Sequence, residues 1–268
     1  MTRFRHSRLS PQARAGVTAR SLAASDGLCH VFSTAAGGWP AGAPHGSFLP
    51  AGLARAAGFP LQAPLIRLQQ VHGAAVHVAR AAPSSPHHHP PCADGCVSGR
   101  AGLVLVVQTA DCVPVLLVDL QAGVIGAAHM GWRGALAGIL QATVSAMVRL
   151  GASPNRIQAA LGPAIRSCCF SVREDVAASF RRLDPGLVSR EDNETRVDLP
   201  AAARHLLVRA GLCEEAVEQL AICTYCHPDR YPSFRREGRR AGRLLAAIYL
   251  KPEEDARDTQ PASFSSMV

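Results

Sequence analysis

The apolar positions of this chain fall into short unbroken runs and longer periodic stretches, and the two kinds predict different elements. Leu103–Val107 is a continuous, mostly β-branched run, which predicts a strand buried on both faces. Val113–Asp119 is a second such run and Val124–Ala128 a third, with Gln121–Gly123 as the tight turn between them. Gly27–Thr34 predicts an earlier strand. Leu65–Ala79 predicts two strand segments around His72-Gly73, the second alternating with period two at Val76 and Val78. Ile157–Leu161, Val217–Ile222 and Arg243–Leu250 complete the predicted strands.

Helical spacing predicts a short helix at Leu49–Gly58 and a longer one after Gly134. The longer one has Leu136, Ile139, Leu140, Val144, Met147 and Val148 as its apolar face and Gly151 as its stop. Val172–Leu183 carries Glu174 and Asp175 near its start, which suits the helix dipole, and Leu199–Ala210 is a further helix. Ala35–Phe48, the Pro-rich stretch Ala81–Cys92 and the polar stretch Pro185–Val197 are expected loops, Ala93-Asp94-Gly95 is a turn, and Tyr231–Gly242 is a basic loop. The pattern contains no internal repeat and no clean linker. It describes one mixed α/β domain over residues 27–252, with a flexible basic extension at 1–26 and a disordered tail at 253–268.

Composition supports a globular chain with an ample core: 268 residues, 48% hydrophobic and 18% charged. No apolar run is long enough to span a membrane. The N-terminal twenty residues hold five arginines and no acid, as a transit peptide also does, but lack the apolar core of a secretory signal. Nine cysteines, an odd number without such a signal, indicate reduced thiols in a cytoplasmic protein. The formal charge of +8 favours an anionic partner, either a phosphate-bearing substrate or nucleic acid. Nucleic acid is the weaker reading, because only 5% of residues are aromatic and no standard binding motif is present. Arg235–Arg243 is then a solvated charge run or a phosphate contact.

Candidate chemistry concentrates between Gln108 and Gly134. Cys112 follows one predicted strand and His129 another, and His72 supplies a third soft donor. A thiolate and two imidazoles suit zinc, with copper as the alternative, and three ligands leave a fourth position open. Spacing alone equally accommodates Cys112 as a buried thiol and the histidines as unrelated loop residues. Asp111, beside Cys112, is a candidate for orienting a ligand, for proton transfer or for a turn cap, and Asp94 is read the same way with the turn favoured. Arg133, in a glycine-flanked turn before a helix, is a candidate anion contact. The tract His87–His89 lies in a Pro-flanked loop that points consecutive side chains apart. Cys223–His227, CTYCH, matches the haem c attachment pattern but also reads as two strand-end thiols, and Cys168-Cys169 reads as packing.

Six segments together resemble a known family: QVHG at 70–73, ADG at 93–95, TADCVPVLL at 109–117, AAHMGWRG at 127–134, LGPAI at 161–165 and CTYCHPDRYPSFRREGRRAGR at 223–243. They are similar to the purine nucleoside phosphorylases of the YfiH-like, laccase-domain type, formerly labelled multicopper polyphenol oxidases. The resemblance runs from about Phe32 to Leu250. It implies a single α/β domain with a β-sandwich-like core flanked by helices, and a zinc site at His72, Cys112 and His129. It implies phosphorolysis of adenosine, inosine and methylthioadenosine, with adenosine deamination at the same site, by a monomer or homodimer. The alternatives it carries are copper-dependent phenol oxidation and editing of peptidoglycan precursors. In that frame Asp111 and Asp94 are proton-transfer or substrate-contact candidates and Arg133 a phosphate contact. The chain departs from the pattern at Ala35, at Gly46–Gly58 and at Phe170-Ser171-Val172, where the substrate pocket is in question.

Overall fold

The computed structural model describes residues 15–23, 27–40, 48–83 and 89–252. Most of the expected extension (1–14), His87 and His88 of the histidine tract, and the tail from 253 lie outside the described residues. Two sheets form the centre. One has five strands, in the order β1 (Gly16–Val17), β2 (Leu28–Ser33), β13 (Leu244–Leu250), β6 (Val104–Thr109), β3 (Leu65–Ile66). The other has six, in the order β12 (Val217–Gln219), β9 (Gln158–Leu161), β7 (Val113–Asp119), β8 (Val124–Met130), β5 (Gly95–Ser98), β4 (Val76–Val78).

The sheets stack face to face, and strand parity assigns each side chain to a layer. On β7, Leu116 and Val118 join Ile125 and Ala127 of β8 and Phe32, Leu105, Val107 and Ile248 of the five-stranded sheet in the layer between the sheets. Val113, Val115, Leu117, Ala128 and Met130 face the opposite way. There they pack under α3 (Ile139–Arg149), α4 (Glu174–Leu183) and α5 (Leu199–Arg209). The outer face of the five-stranded sheet is covered by α1 (Ala51–Ala57) through Leu53 and Ala54, with Trp39 and Phe59 beside them. The result is a β-sandwich-like core flanked by helices, as expected. It explains why antiparallel strands here read as unbroken apolar runs: both faces of β6, β7 and β8 are covered. Truncating a side chain in the inter-sheet layer, such as Leu116 to Ala, costs about 2–5 kcal/mol.

Five local expectations are corrected. Residues 15–23 are not a free extension: β1 pairs with β2, Ala19 and Leu22 are fully buried, and the Ala19 N–H donates to His30 Nε2 at 2.9 Å. The helix after Gly134 is two helices, α2 (Trp132–Ala137) and α3, because Gly138 adopts a left-handed φ of 87°. That break, together with the flank position of Val148, leaves Leu136 and Val148 exposed rather than on the apolar face. Pro185–Val197 is not a loop throughout. Its β10 (Val188–Glu191) and β11 (Glu194–Val197) form a hairpin turning through Asp192 and Asn193, both at positive φ. The turn at Asp94-Gly95 opens directly into β5, a strand that its short length and small residues hide. The basic loop at 231–242 contains α6 (Phe234–Glu237), capped by Ser233.

Candidate metal centre

The β7–β8 hairpin brings two of the three predicted ligands together by register alone. Pro114 of β7 is directly opposite His129 of β8. Cys112 lies two residues before Pro114, so it shares the face of Pro114 and therefore of His129. That face looks into the layer between the sheets, and both residues stand where the layer ends. His72 comes from the chain that crosses from β3 in one sheet to β4 in the other. The donor atoms of His72, Cys112 and His129 all lie within 4.8 Å of one another. The two imidazoles meet edge to face with centroids 4.8 Å apart.

Each ligand is held from behind. Asp94 is fully buried and precedes β5, which pairs with β8, so its carboxylate arrives beside His129. Its Oδ1 is 2.8 Å from His129 Nδ1, which leaves Nε2 as the ring nitrogen available to the cluster. The same carboxylate accepts the backbone N–H groups of Val71 (3.2 Å), His72 (2.9 Å) and Gly73 (2.7 Å). These bonds hold His72 at a left-handed φ of 61°, a strain that a non-glycine residue keeps only when its surroundings impose it. Gln70 fastens the other side of this loop to β6, donating to the Gln108 carbonyl and accepting its N–H, both at 2.8 Å. At Gly131 a Cβ would stand 2.9 Å from Cys112 Sγ and 3.1 Å from His72 Cδ2, so glycine there keeps the ligand space clear.

The electrostatics suit a cation. Burial raises the Cys112 thiol, but His129 and His72 more than offset it and bring the pKa down to about 6. Burial lowers the His129 imidazole, yet Cys112 and Asp94 lift it to about 9. Burial also opposes ionisation of Asp94, and His129 with the Gly73 and Val71 N–H groups holds its carboxyl below the usual carboxylate range. Without a cation the pair therefore rests as a Cys112 thiolate beside a His129 imidazolium with a carboxylate behind it, and a soft-to-borderline dication would bind there by displacing the proton on His129 Nε2.

The three residues open onto a cavity of about 530 Å³, within the range of small-molecule sites. Its apolar wall includes Leu68, Ile165, Phe170 and Trp132, and three arginines, Arg133, Arg235 and Arg243, line it. Arg133 stacks on Trp132 at 4.4 Å, while Arg235 lies over Phe170 and donates to the Ser171 carbonyl at 3.0 Å. Sequence reasoning offers Arg133 and the Arg235–Arg243 run as anion contacts but does not place Trp132 at the cavity. Two other expectations change. Asp94 does not line the cavity; it is spent on His129 and the 71–73 backbone. Asp111 lines it, but its carboxylate is already taken by Thr224 Oγ1 (2.6 Å), Ser233 Oγ (3.0 Å) and the Arg235 N–H (2.6 Å). At φ 86° it is a second strained residue, tying the 224 and 233–235 segments to the start of β7.

Fold and site together define an α/β sandwich domain with three side chains that could hold a metal ion clustered on the wall of a cavity. The chain belongs to the enzyme family described as multi-copper polyphenol oxidoreductase laccase, whose model matches residues 51–251. It is 40% identical over 240 residues to a purine nucleoside phosphorylase of Deinococcus radiodurans, covering 84% of this chain and 90% of that one. It is 39% identical over 163 residues to the adenosine deaminase RL5 of an unknown prokaryotic organism, covering 59% of this chain and 62% of that one. Among solved structures, YlmD from Geobacillus stearothermophilus superposes with a TM-score of 0.75 at 28% identity over 90% of this chain and 97% of the other.

Proposed function

We propose that this enzyme is a zinc-dependent purine nucleoside phosphorylase acting on adenosine, inosine and methylthioadenosine, with adenosine deamination at the same site. The observation that carries the reading is the three-donor cluster opening onto a cavity with both an apolar wall and lining arginines. A nucleoside and a phosphate need those two kinds of surface side by side. His72, Cys112 and His129 would hold the zinc, which would supply Lewis-acid chemistry at the cavity.

The chain's own residues do the rest. Asp94 fixes the His129 tautomer and the His72 backbone. Leu68, Ile165 and Phe170 exclude water around the purine. Arg133, with Arg235 and Arg243 beside it, binds phosphate and aims one of its oxygens at the anomeric carbon. As that C–O bond forms, the C1′–N9 bond breaks, its electron pair leaves with the purine, and the base takes up a proton. In deamination water adds at C6 of the purine and ammonia departs. Asp111, with three donors on its carboxylate, is assigned a positioning role rather than proton transfer.

The test is to incubate the purified protein with each nucleoside, with and without phosphate, and identify products by mass. Ribose 1-phosphate from adenosine and inosine and 5-methylthioribose 1-phosphate from methylthioadenosine, formed only with phosphate, and inosine formed from adenosine without it, are the expected products. Unchanged nucleosides with oxygen uptake on phenols and bound copper would replace this reading with the oxidase one, which the same nitrogen and sulfur donors also suit.

A further inference from the structure

A second cluster lies away from the cavity, and nothing in the proposed activity uses it. Cys168 and Cys169 sit in the turn that follows the Gly162-Pro163 bend, and Cys223 and Cys226 in the CTYC segment after β12. The two segments are joined as a parallel bridge, with the Thr224 N–H donating to the Ala164 carbonyl at 3.0 Å. This brings four sulfurs from positions more than fifty residues apart within 4.8 Å of one another. We propose that Cys168, Cys169, Cys223 and Cys226 form a closed, four-thiolate site for a tetrahedral dication of the zinc class, and that this site clamps the two segments forming one wall of the cavity.

The distances fit a metal better than a disulfide. Zn–S bonds of about 2.3 Å arranged tetrahedrally put neighbouring sulfurs about 3.8 Å apart. Cys168 and Cys226 are 3.7 Å apart and Cys169 and Cys226 are 3.4 Å apart. A disulfide needs about 2.05 Å, and all four residues are free thiols here. The Cys-x-x-Cys half also has the backbone of a metal knuckle. The N–H groups of Arg166 and Cys226 face the Cys223 sulfur, and hold its thiol below the ordinary range although burial opposes this. Burial and the surrounding thiols push Cys168 up to about 11 and Cys169 higher still. The haem-attachment reading of CTYCH fails on the same ground, because both of its cysteines face the other pair.

The position gives the site its purpose. Ile165 and Phe170, which flank Cys168-Cys169, line the cavity. Thr224, next to Cys223, is the 2.6 Å donor to Asp111. The Ile165 N–H donates to the Asp111 carbonyl at 2.9 Å. A metal joining the two segments therefore fixes the cavity wall and the residue that precedes Cys112. It sits too far into the loop junction to line the cavity, and with four protein ligands it has no open position for chemistry.

Metal content by mass spectrometry separates this site from the three-donor centre. His129→Ala protein, whose three-donor centre is broken, is expected to keep one zinc per chain, and Cys226→Ser in that background to lose it. Cobalt substituted into His129→Ala should give the intense thiolate charge-transfer absorption of a sulfur-rich tetrahedral site. Cys168→Ser is the second variant if Cys226→Ser does not fold. Thiol titration of the denatured, chelated protein should return nine thiols. His129→Ala protein without metal and without the cobalt signature overturns the proposal, as does a count of seven thiols, which would mean a disulfide in the cluster. Neither outcome bears on whether the wild-type enzyme cleaves nucleosides.

Discussion

Among the described residues soft donors gather in two places, and the two clusters are built on opposite principles. His72, Cys112 and His129 are set by sheet geometry: a strand register, a parity rule and a crossing loop pinned by one buried carboxylate. Cys168, Cys169, Cys223 and Cys226 are set by loops, joined by one bridge at Ala164 and Cys223. The first has three donors, a carboxylate behind one histidine and a cavity in front. The second has four sulfurs and no residue on the cavity. Three donors on a rigid frame leave room for a substrate atom, whereas four donors on two loops leave none and hold the loops instead. On the two proposals made above, the difference separates a centre that reacts from one that fastens.

The largest effect that divides them is ligand removal. His129→Ala should abolish turnover of nucleosides and remove one metal equivalent, with the far-ultraviolet circular dichroism of the folded protein retained. Retained turnover in a protein that has lost that equivalent would end the assignment of chemistry to the three-donor cluster. A chelator offers the same division as a time course. The open centre should lose its metal first and activity with it, while the four-sulfur centre releases its metal only as the protein begins to unfold. Simultaneous release from both would erase the distinction between open and closed.

How much of this was legible beforehand follows the same division. The hairpin carrying Cys112 and His129 was visible because β7 and β8 are continuous apolar runs with a turn between them, and His72 followed from the matching motifs. An orienting role for Asp94 is one reading of ADG beside a turn, but nothing in it announces that His129 and three backbone N–H groups from residues 71–73 will converge on the carboxylate. The partners of Asp111 are hidden for a related reason: its three donors come from Thr224, Ser233 and Arg235, more than a hundred residues away. The four cysteines were seen as two local pairs, each with a bland reading, since spacing says nothing about which loops meet. Short strands escaped too. Gly16–Val17 and Gly95–Ser98 owe their conformation to the neighbours they pair with, not to their own propensity.

Two substitutions probe the sheet-built centre at intermediate strength. Asp94→Asn keeps the shape of the side chain but removes the charge behind His129. It should weaken metal binding at the three-donor cluster by about 10–100-fold, the usual cost of losing such a partner. The four-sulfur centre should be untouched, so one equivalent remains tightly held in an equilibrium titration. Gly131→Ala intrudes a methyl group at 2.9 Å from the Cys112 sulfur. Crowding of this kind costs about 1–3 kcal/mol, so metal affinity should fall roughly tenfold. Equal loss at both centres in either variant would show that the two are not independently built.

The smallest effect tests whether the fastening centre speaks to the reacting one. The two approach each other at Ser171, between the Cys168-Cys169 turn and the cavity, where Arg235 donates to the Ser171 carbonyl at 3.0 Å and its hydroxyl at 3.3 Å. Ser171→Ala removes only the longer of these bonds, so KM for phosphate should rise by no more than about threefold, in line with one exposed hydrogen bond. Cys226→Ser releases the clamp on the same segment and should raise KM further. If the clamp acts by holding residues 168–172, the double variant Cys226→Ser with Ser171→Ala should resemble Cys226→Ser alone, because a released segment no longer presents the hydroxyl to Arg235. Full additivity of the two KM effects would mean that the four-sulfur centre stabilises the loops without positioning the arginine that faces the substrate.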